Sequence, residues 1–336
     1  MKDRRRWLRT LALLLGWVLL FGATLWASGA IYFDLPIAWL RTPLALVYGA
    51  AILALLILVK RRGLALAVSA TAFLLVLIWW LSIKPSNDRP WQPDVAQTAW
   101  AEIDGDLATL HNIRNSDYRT ATDYTPHWET RTVRLSQITG MDLAINYWGS
   151  PWMAHPIVSF QFADAPPLCF SVETRKEMGE SYSAIGGIYR QYELIYIVAD
   201  ERDVLRVRTN YRHGEDVYLY RTMTSPAQAR ERFLEYVNAL NGLRTRARWY
   251  NAITTNCTTS VRAQRPTNER MPWDWRILLN GKGGQLLYER RLIATGGLPF
   301  AELKRRSRIN ERAHVADKDP DFSRLVRQGI PGFGSE

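Results

Sequence analysis

The sequence predicts an α+β protein whose soluble part is held by three N-terminal membrane helices. Three observations carry this. Residues 11–83 are almost all Leu, Ala, Val, Ile and Trp, whereas the chain after Lys84 has the turns and charges of an ordinary soluble protein. That second part holds several short runs with β-branched or aromatic residues at alternating positions. It also holds a well-marked helix, with Ser225 as N-cap, Pro226 at the first helical position, and Phe233, Tyr236, Val237 and Leu240 at helical spacing.

The apolar stretch divides into runs at about residues 11–32, 42–59 and 64–83, each near the ~20 residues that a bilayer core requires. Trp7, Trp26, Trp39, Trp79 and Trp80 fall near the ends, where amphipathic rings favour the interface. Lys2, Arg4, Arg5, Arg6 and Arg9 precede the first run, and Lys60, Arg61 and Arg62 join the second to the third. The positive-inside rule then puts the N-terminus in the cytoplasm and everything after Ile83 on the other side. A cleaved signal peptide is the alternative, since residues 27–30 are small. Two further spans oppose it, because the basic Lys60 turn would then lie on the wrong side.

Residues 84–98 read as a Pro-bearing polar linker and residues 99–336 as one soluble domain. Strands are expected at 107–113, 130–135, 141–147, 157–162, 168–173 and 217–221. The Ser225 helix should stop at Asn241-Gly242. A second helix should begin at or just before Cys257, and a third should run through 275–279, ended by Asn280-Gly281.

A net charge of +11 calls for an anionic partner, and lipid headgroups suit a membrane-anchored chain better than nucleic acid, for which no recognition pattern is present. Metal-binding spacings, a Gly-rich phosphate loop and a GxSxG elbow are all missing from the sequence. No cofactor or metal is therefore expected.

Two cysteines and five histidines remain. Cys257 lies in Thr254-Thr255-Asn256-Cys257-Thr258-Thr259 at an expected helix start, where the dipole and free N–H groups favour a thiolate and offer oxyanion donors. A buried, inert cysteine is the plain alternative. His155 stands at the entry to a strand. A hairpin closing across Phe162 and Leu168 would put His155, Ile157, Ser159 and Gln161 on one face with Cys169, Ser171, Glu173 and Arg175. Glu173 is then the diagonal neighbour of His155 and able to orient its ring. A histidine merely filling a strand end is the other reading. Cys169 would pair with Gln161, about 20 Å from His155 at strand rise, and reads as a small core residue. His111, His127, His213 and His314 carry weaker signals.

At this point a resemblance enters. The stretches HNIRNSDYR (111–119), YWGSPWMAHPIVSFQF (147–162), FSVETRKEMGESYS (170–183), RQYELIYIVADERDV (190–204) and YNAITTNCTTSVR (250–262) resemble a bacterial periplasmic domain family, the Lnb-type lipoprotein N-acyltransferases. The resemblance implies a circularly permuted papain-like (NlpC-type) fold, with the histidine ahead of the cysteine as His155 precedes Cys257. It also implies an inner-membrane protein with a periplasmic domain. Asn256 before Cys257 is similar to the lecithin:retinol acyltransferase group. Asn256, Tyr147, Trp148 and Ser159 become candidates for substrate contact or oxyanion stabilisation.

The expected activity is a cysteine-dependent N-acyltransferase. Cys257, deprotonated by His155, takes an acyl chain from a phospholipid as a thioester and passes it to the N-terminal amine of a diacylglyceryl lipoprotein. A papain-like cell-wall amidase or endopeptidase is the alternative enzyme. A non-catalytic membrane scaffold binding lipoproteins is the alternative from another class. Cys169 and Cys257 should both be free thiols.

Overall fold

The computed structural model describes residues 2–265 and 270–334; the side chains of the N-terminal basic cluster, Lys2, Arg4, Arg5, Arg6 and Arg9, lie outside the description. The chain forms two compact units, Met1–Pro85 with Tyr182–Tyr192, and Ser86–Ser181 with Glu193–Glu336.

The first unit is built on α1 (Lys2–Asp34), α2 (Ala38–Leu58) and α3 (Arg62–Ser82). Each contains a segment long and apolar enough to cross a membrane, Leu13–Asp34, Ala38–Leu58 and Arg62–Ser82. Large apolar side chains such as Leu14, Phe21, Leu46 and Leu75 are exposed on the helix surfaces, while Ala27, Ala30, Ala65 and Ser69 are buried between the helices. Small residues at the contacts let backbones approach, which is how helices pack in lipid. The segment Tyr182–Tyr192 belongs to this unit. Tyr189 stacks on Phe33 at 5.1 Å, and Arg190 donates to the carbonyls of Trp80 and Ile83 at 2.7 and 2.6 Å. A Cβ on Gly29 would lie 2.0 Å from the Tyr189 hydroxyl, so any side chain there would have to displace the Tyr189 ring.

The second unit is an antiparallel-dominated sheet covered on both faces. Its strands are β1 (Trp100–Asp104), β2 (Leu107–Arg114), β5 (Trp128–Arg134), β6 (Ile138–Trp148), β7 (Ala154–Phe162), β8 (Leu168–Arg175), β9 (Glu193–Asp200) and β10 (Glu215–Arg221), with β3 (Asp117–Tyr118) and β4 (Tyr124–Thr125) as a small separate hairpin. The order is β1-β2-β9-β8-β7-β6-β10, and β5 also pairs with β2. Together with the three apolar helices this makes the chain α+β. Four strands escaped the sequence reading: β1, β9 and the two-residue strands β3 and β4. All eight residues of β9 are buried, because it runs mid-sheet between covered faces; such a strand shows a continuous apolar run without alternation.

Helix α5 (Pro226–Thr245) opens as expected, with a capping box between Ser225 and Gln228. It does not stop at Asn241-Gly242. Asn241 instead pairs its amide with the backbone N–H and C=O of Ala101, both at 2.8 Å, and the helix continues to Thr245. Its Phe233 and Tyr236 pack edge-on against Phe160 of β7 at 5.2 and 5.8 Å, giving the first face an aromatic core. The second face, with Ala144, Ile157, Cys169, Ile195 and Ile197, is covered by the C-terminal α9 (Asn310–Val315), α10 (Phe322–Leu325) and the chain to Ile330.

The β7–β8 hairpin forms, but slipped by two residues from the expected register. Phe160 pairs with Leu168 and Ser159 with Cys169. The even slip keeps every side chain on its expected face. Pro166 and Pro167, lacking N–H groups, stand outside the ladder and form the connection to β8. Residues 86–98, expected as a linker, are packed: Trp91 and Val95 are buried, and Arg175 donates to the carbonyls of Val95 and Ala96. In place of a helix over 275–279 there are two short 3-10 turns, Trp275–Ile277 and Asn280–Lys282, before α7 (Gly283–Glu289) and α8 (Phe300–Ser307).

Candidate active site

Cys257 is the first residue of α6 (Cys257–Ala263), as its flanking residues predict. Asn256 caps the helix: its Oδ1 accepts from the N–H groups of Thr258 and Thr259 at 3.0 and 2.9 Å, and its Nδ2 donates to Ala252 O. The cap commits its Oδ1, and Ala252 O takes one of the two Nδ2 N–H groups, so the geometry makes Asn256 first of all the residue that fixes this helix start. It also consumes two helix-end N–H groups that the sequence offered as oxyanion donors. Among the described contacts, the donors left beside the sulphur are the Cys257 N–H, the Thr258 hydroxyl 3.9 Å away and the side chain of Asn280, whose Nδ2 lies 3.4 Å from Sγ and 3.1 Å from Thr258 Oγ1.

The thiol is 7% exposed. Burial pushes its pKa up to about 11, outweighing the Thr258 side chain, the Thr258 and Cys257 N–H groups and Asn280, which all favour the thiolate. The helix start was expected to depress the pKa. In the resting protein desolvation wins, and the thiol is neutral.

His155 is the second residue of β7, as expected. Its Nε2 lies 2.6 Å from Ser171 Oγ, which donates to Glu173 Oε1 at 2.7 Å; the His155–Glu173 separation is 3.9 Å. The Ser171 proton goes to the carboxylate, so the imidazole carries its own proton on Nε2 and donates. The β7–β8 ladder ends at Ile157, beside Pro156 with no N–H to give, and the two-residue slip brings Glu173 opposite His155 rather than diagonal to it. Arg208 donates to the same Glu173 oxygen at 2.9 Å. Burial opposes the Glu173 charge, but Arg208, His155 and Arg114 outweigh it and hold the carboxyl well below the usual range. Burial and Arg208 together lower the His155 pKa to about 4.

The two principal candidates do not meet. His155 shares its face with Ile157 and Ser159 and with the C-terminal helices. Helix α6 packs on the opposite face, where Thr258 and Val261 lie with Val158, Leu143 and Tyr236. Successive strand residues point to opposite sides, so the residue of β7 turned towards Cys257 is Ala154, not His155. Among the described residues no contact joins His155 to Cys257. Ser159, another candidate, is fully buried with its hydroxyl on Glu201 at 2.5 Å, within an ion cluster completed by Arg327 and Asp142. Tyr147 donates its hydroxyl to Gly281 O at 2.7 Å and acts on the frame around Asn280. Trp148 sits half-exposed at the hairpin end. Cys169 is fully buried in the second-face core, and both cysteines are free.

Asn280 was read from sequence only as a helix stop. An Asn-Gly dipeptide signals a turn; nothing in its spacing ties it to Cys257. Beside the thiol a groove of about 560 Å³ runs from Thr258 along Met141, Leu143, Val158, Val261 and Leu287, with Arg232, Arg262, Arg265, Arg270 and Arg291 also lining it.

Fold and site define a membrane-anchored α+β domain with a buried thiol at a helix start beside an apolar groove. Residues 124–281 match the Lnb N-terminal periplasmic domain, which supports the Lnb-type family and, with three apolar helices ahead of it, fits an inner-membrane protein with a periplasmic domain. The matched stretch contains His155, Glu173, Cys257 and Asn280 and leaves out the membrane helices and the C-terminal helices. No curated protein and no solved structure matches the chain.

Proposed function

We propose that the protein is a lipoprotein N-acyltransferase working through a Cys257 thioester. The groove carries this reading. Its volume of about 560 Å³ lies within the ~300–1,000 Å³ usual for ligand sites. Its apolar wall suits an acyl chain, and Arg262, Arg270 and Arg291 suit the phosphate of a phospholipid donor, while Arg232 and Arg265 are paired with Glu235. Cys257 stands one residue from Thr258, which lines the groove. Acyl exchange to a thiol, then from the thioester to the free amine of a diacylglyceryl lipoprotein, splits a difficult transfer into two easier ones. The membrane segments, with the N-terminus cytoplasmic and the domain periplasmic, keep the enzyme in the same bilayer as both lipidic substrates and raise their effective concentration.

The test is intact-mass measurement on the full-length protein in lipid nanodiscs containing a defined phospholipid. A mass increase of one acyl chain on Cys257, released by hydroxylamine and lost in Cys257→Ala, is the expected result. Cleavage of peptidoglycan peptides without an acyl adduct would favour the amidase, and neither reaction would favour the scaffold.

A further inference from the structure

Asn280 is held in a single orientation. Its Oδ1 accepts the Ala154 N–H at 2.8 Å, so turning the amide over would set two donors against each other. Nδ2 is thereby aimed at Cys257 Sγ, 3.4 Å away, and at Thr258 Oγ1. The backbone beneath it is clamped. Gly281 N–H donates to Trp152 O at 2.9 Å, and the Tyr147 hydroxyl donates to Gly281 O. A Cβ on Gly281 would come within 2.5 Å of Pro151 O. A turn needs none of this precision. A preorganised donor beside a nucleophile does.

We propose that Asn280 is a catalytic residue, its amide N–H stabilising the oxyanion formed when Cys257 adds to an acyl carbonyl. The proposal rests on Cys257 being the nucleophile. As the S–C bond forms, the carbonyl π pair moves onto oxygen. That oxygen and Sγ are bonded to the same carbon, which brings the oxyanion towards Nδ2 and the Cys257 N–H. When the pair returns, the ester C–O bond breaks, and the thiol proton ends on the departing lysophospholipid hydroxyl. In the second half the amine adds to the thioester through the same oxyanion, and its proton restores the thiol.

Two rates on full-length protein in nanodiscs test this: thioester formation from phospholipid, and alkylation of Cys257 by iodoacetamide, a displacement at saturated carbon that makes no oxyanion. In Asn280→Ala, acylation should fall by about 10²–10³-fold, while alkylation changes by less than about tenfold. Asn280→Asp keeps the acceptor for Ala154 and hence the local fold, and should lose acylation as well. Unchanged acylation in either variant, or equal loss of both rates in Asn280→Ala, overturns the proposal. Failure of the Cys257 reading is distinguishable, because the wild type itself would then form no thioester.

Discussion

His155 donates to Ser171 Oγ across 2.6 Å, on the face of the sheet that Cys257 does not share. The imidazole is thus part of a buried array with Ser171, Glu173 and Arg208 rather than a partner of the thiol. The consequences can be measured.

The first concerns thiol reactivity. With its pKa near 11, Cys257 should alkylate slowly at neutral pH, and the rate should climb about tenfold per pH unit up to that value. His155→Gln should leave this profile in place. A midpoint displaced by a unit or more in the variant would mean that the two residues are coupled, and the expected dyad would return.

Stability should depend on pH through the same histidine. The unfolded chain takes up a proton at His155 from about pH 6.5 downwards, whereas the folded protein does so only near pH 4. The unfolded state therefore binds more protons in that window, and stability falls as pH drops from 7 towards 4, by up to roughly 3 kcal/mol from this group. Glu173, whose folded pKa is depressed, contributes stability above its unfolded pKa that is lost at lower pH still. Denaturant melts at pH 7 and pH 4.5 should show the loss in wild type and a smaller one in His155→Gln. Equal losses would remove His155 as the cause.

A third prediction addresses the groove. Met223 lines it and is 62% exposed, so Met223→Trp adds bulk at the opening without filling the core. Donors with long acyl chains should acylate Cys257 more slowly than short ones in this variant, whereas the wild type should show no such ratio. An identical chain-length profile would place the acyl chain elsewhere.

Finally, Arg327 bridges Asp142 and Glu201, both fully buried. Arg327→Met would strand Glu201 in the core and leave Asp142 to Arg221 alone, 3.1 Å away, and should cost about 3–5 kcal/mol, read as a loss of denaturant midpoint. A cost below about 1 kcal/mol would mean that the carboxylates reach water or take up protons without penalty.

Much of the architecture was written locally. Apolar length gave the three membrane helices, Ser225-Pro226 gave the start of α5, and the Asn256 context gave the start of α6, because each depends on residues within a turn or two. Alternation along β7 and β8 likewise assigned side chains to faces, and survived a two-residue slip because the period of a strand is two. What alternation does not contain is which face a distant helix will cover. That α6 lies over Ala154 and Val158 and the C-terminal helices over Ile157 is decided by long-range packing, which separates His155 from Cys257 and sets Asn280, an ordinary turn residue by its neighbours, against the thiol. The desolvation that raises the thiol pKa has the same origin: a helix start favours a thiolate by local geometry, but the water excluded around it is set by the whole fold.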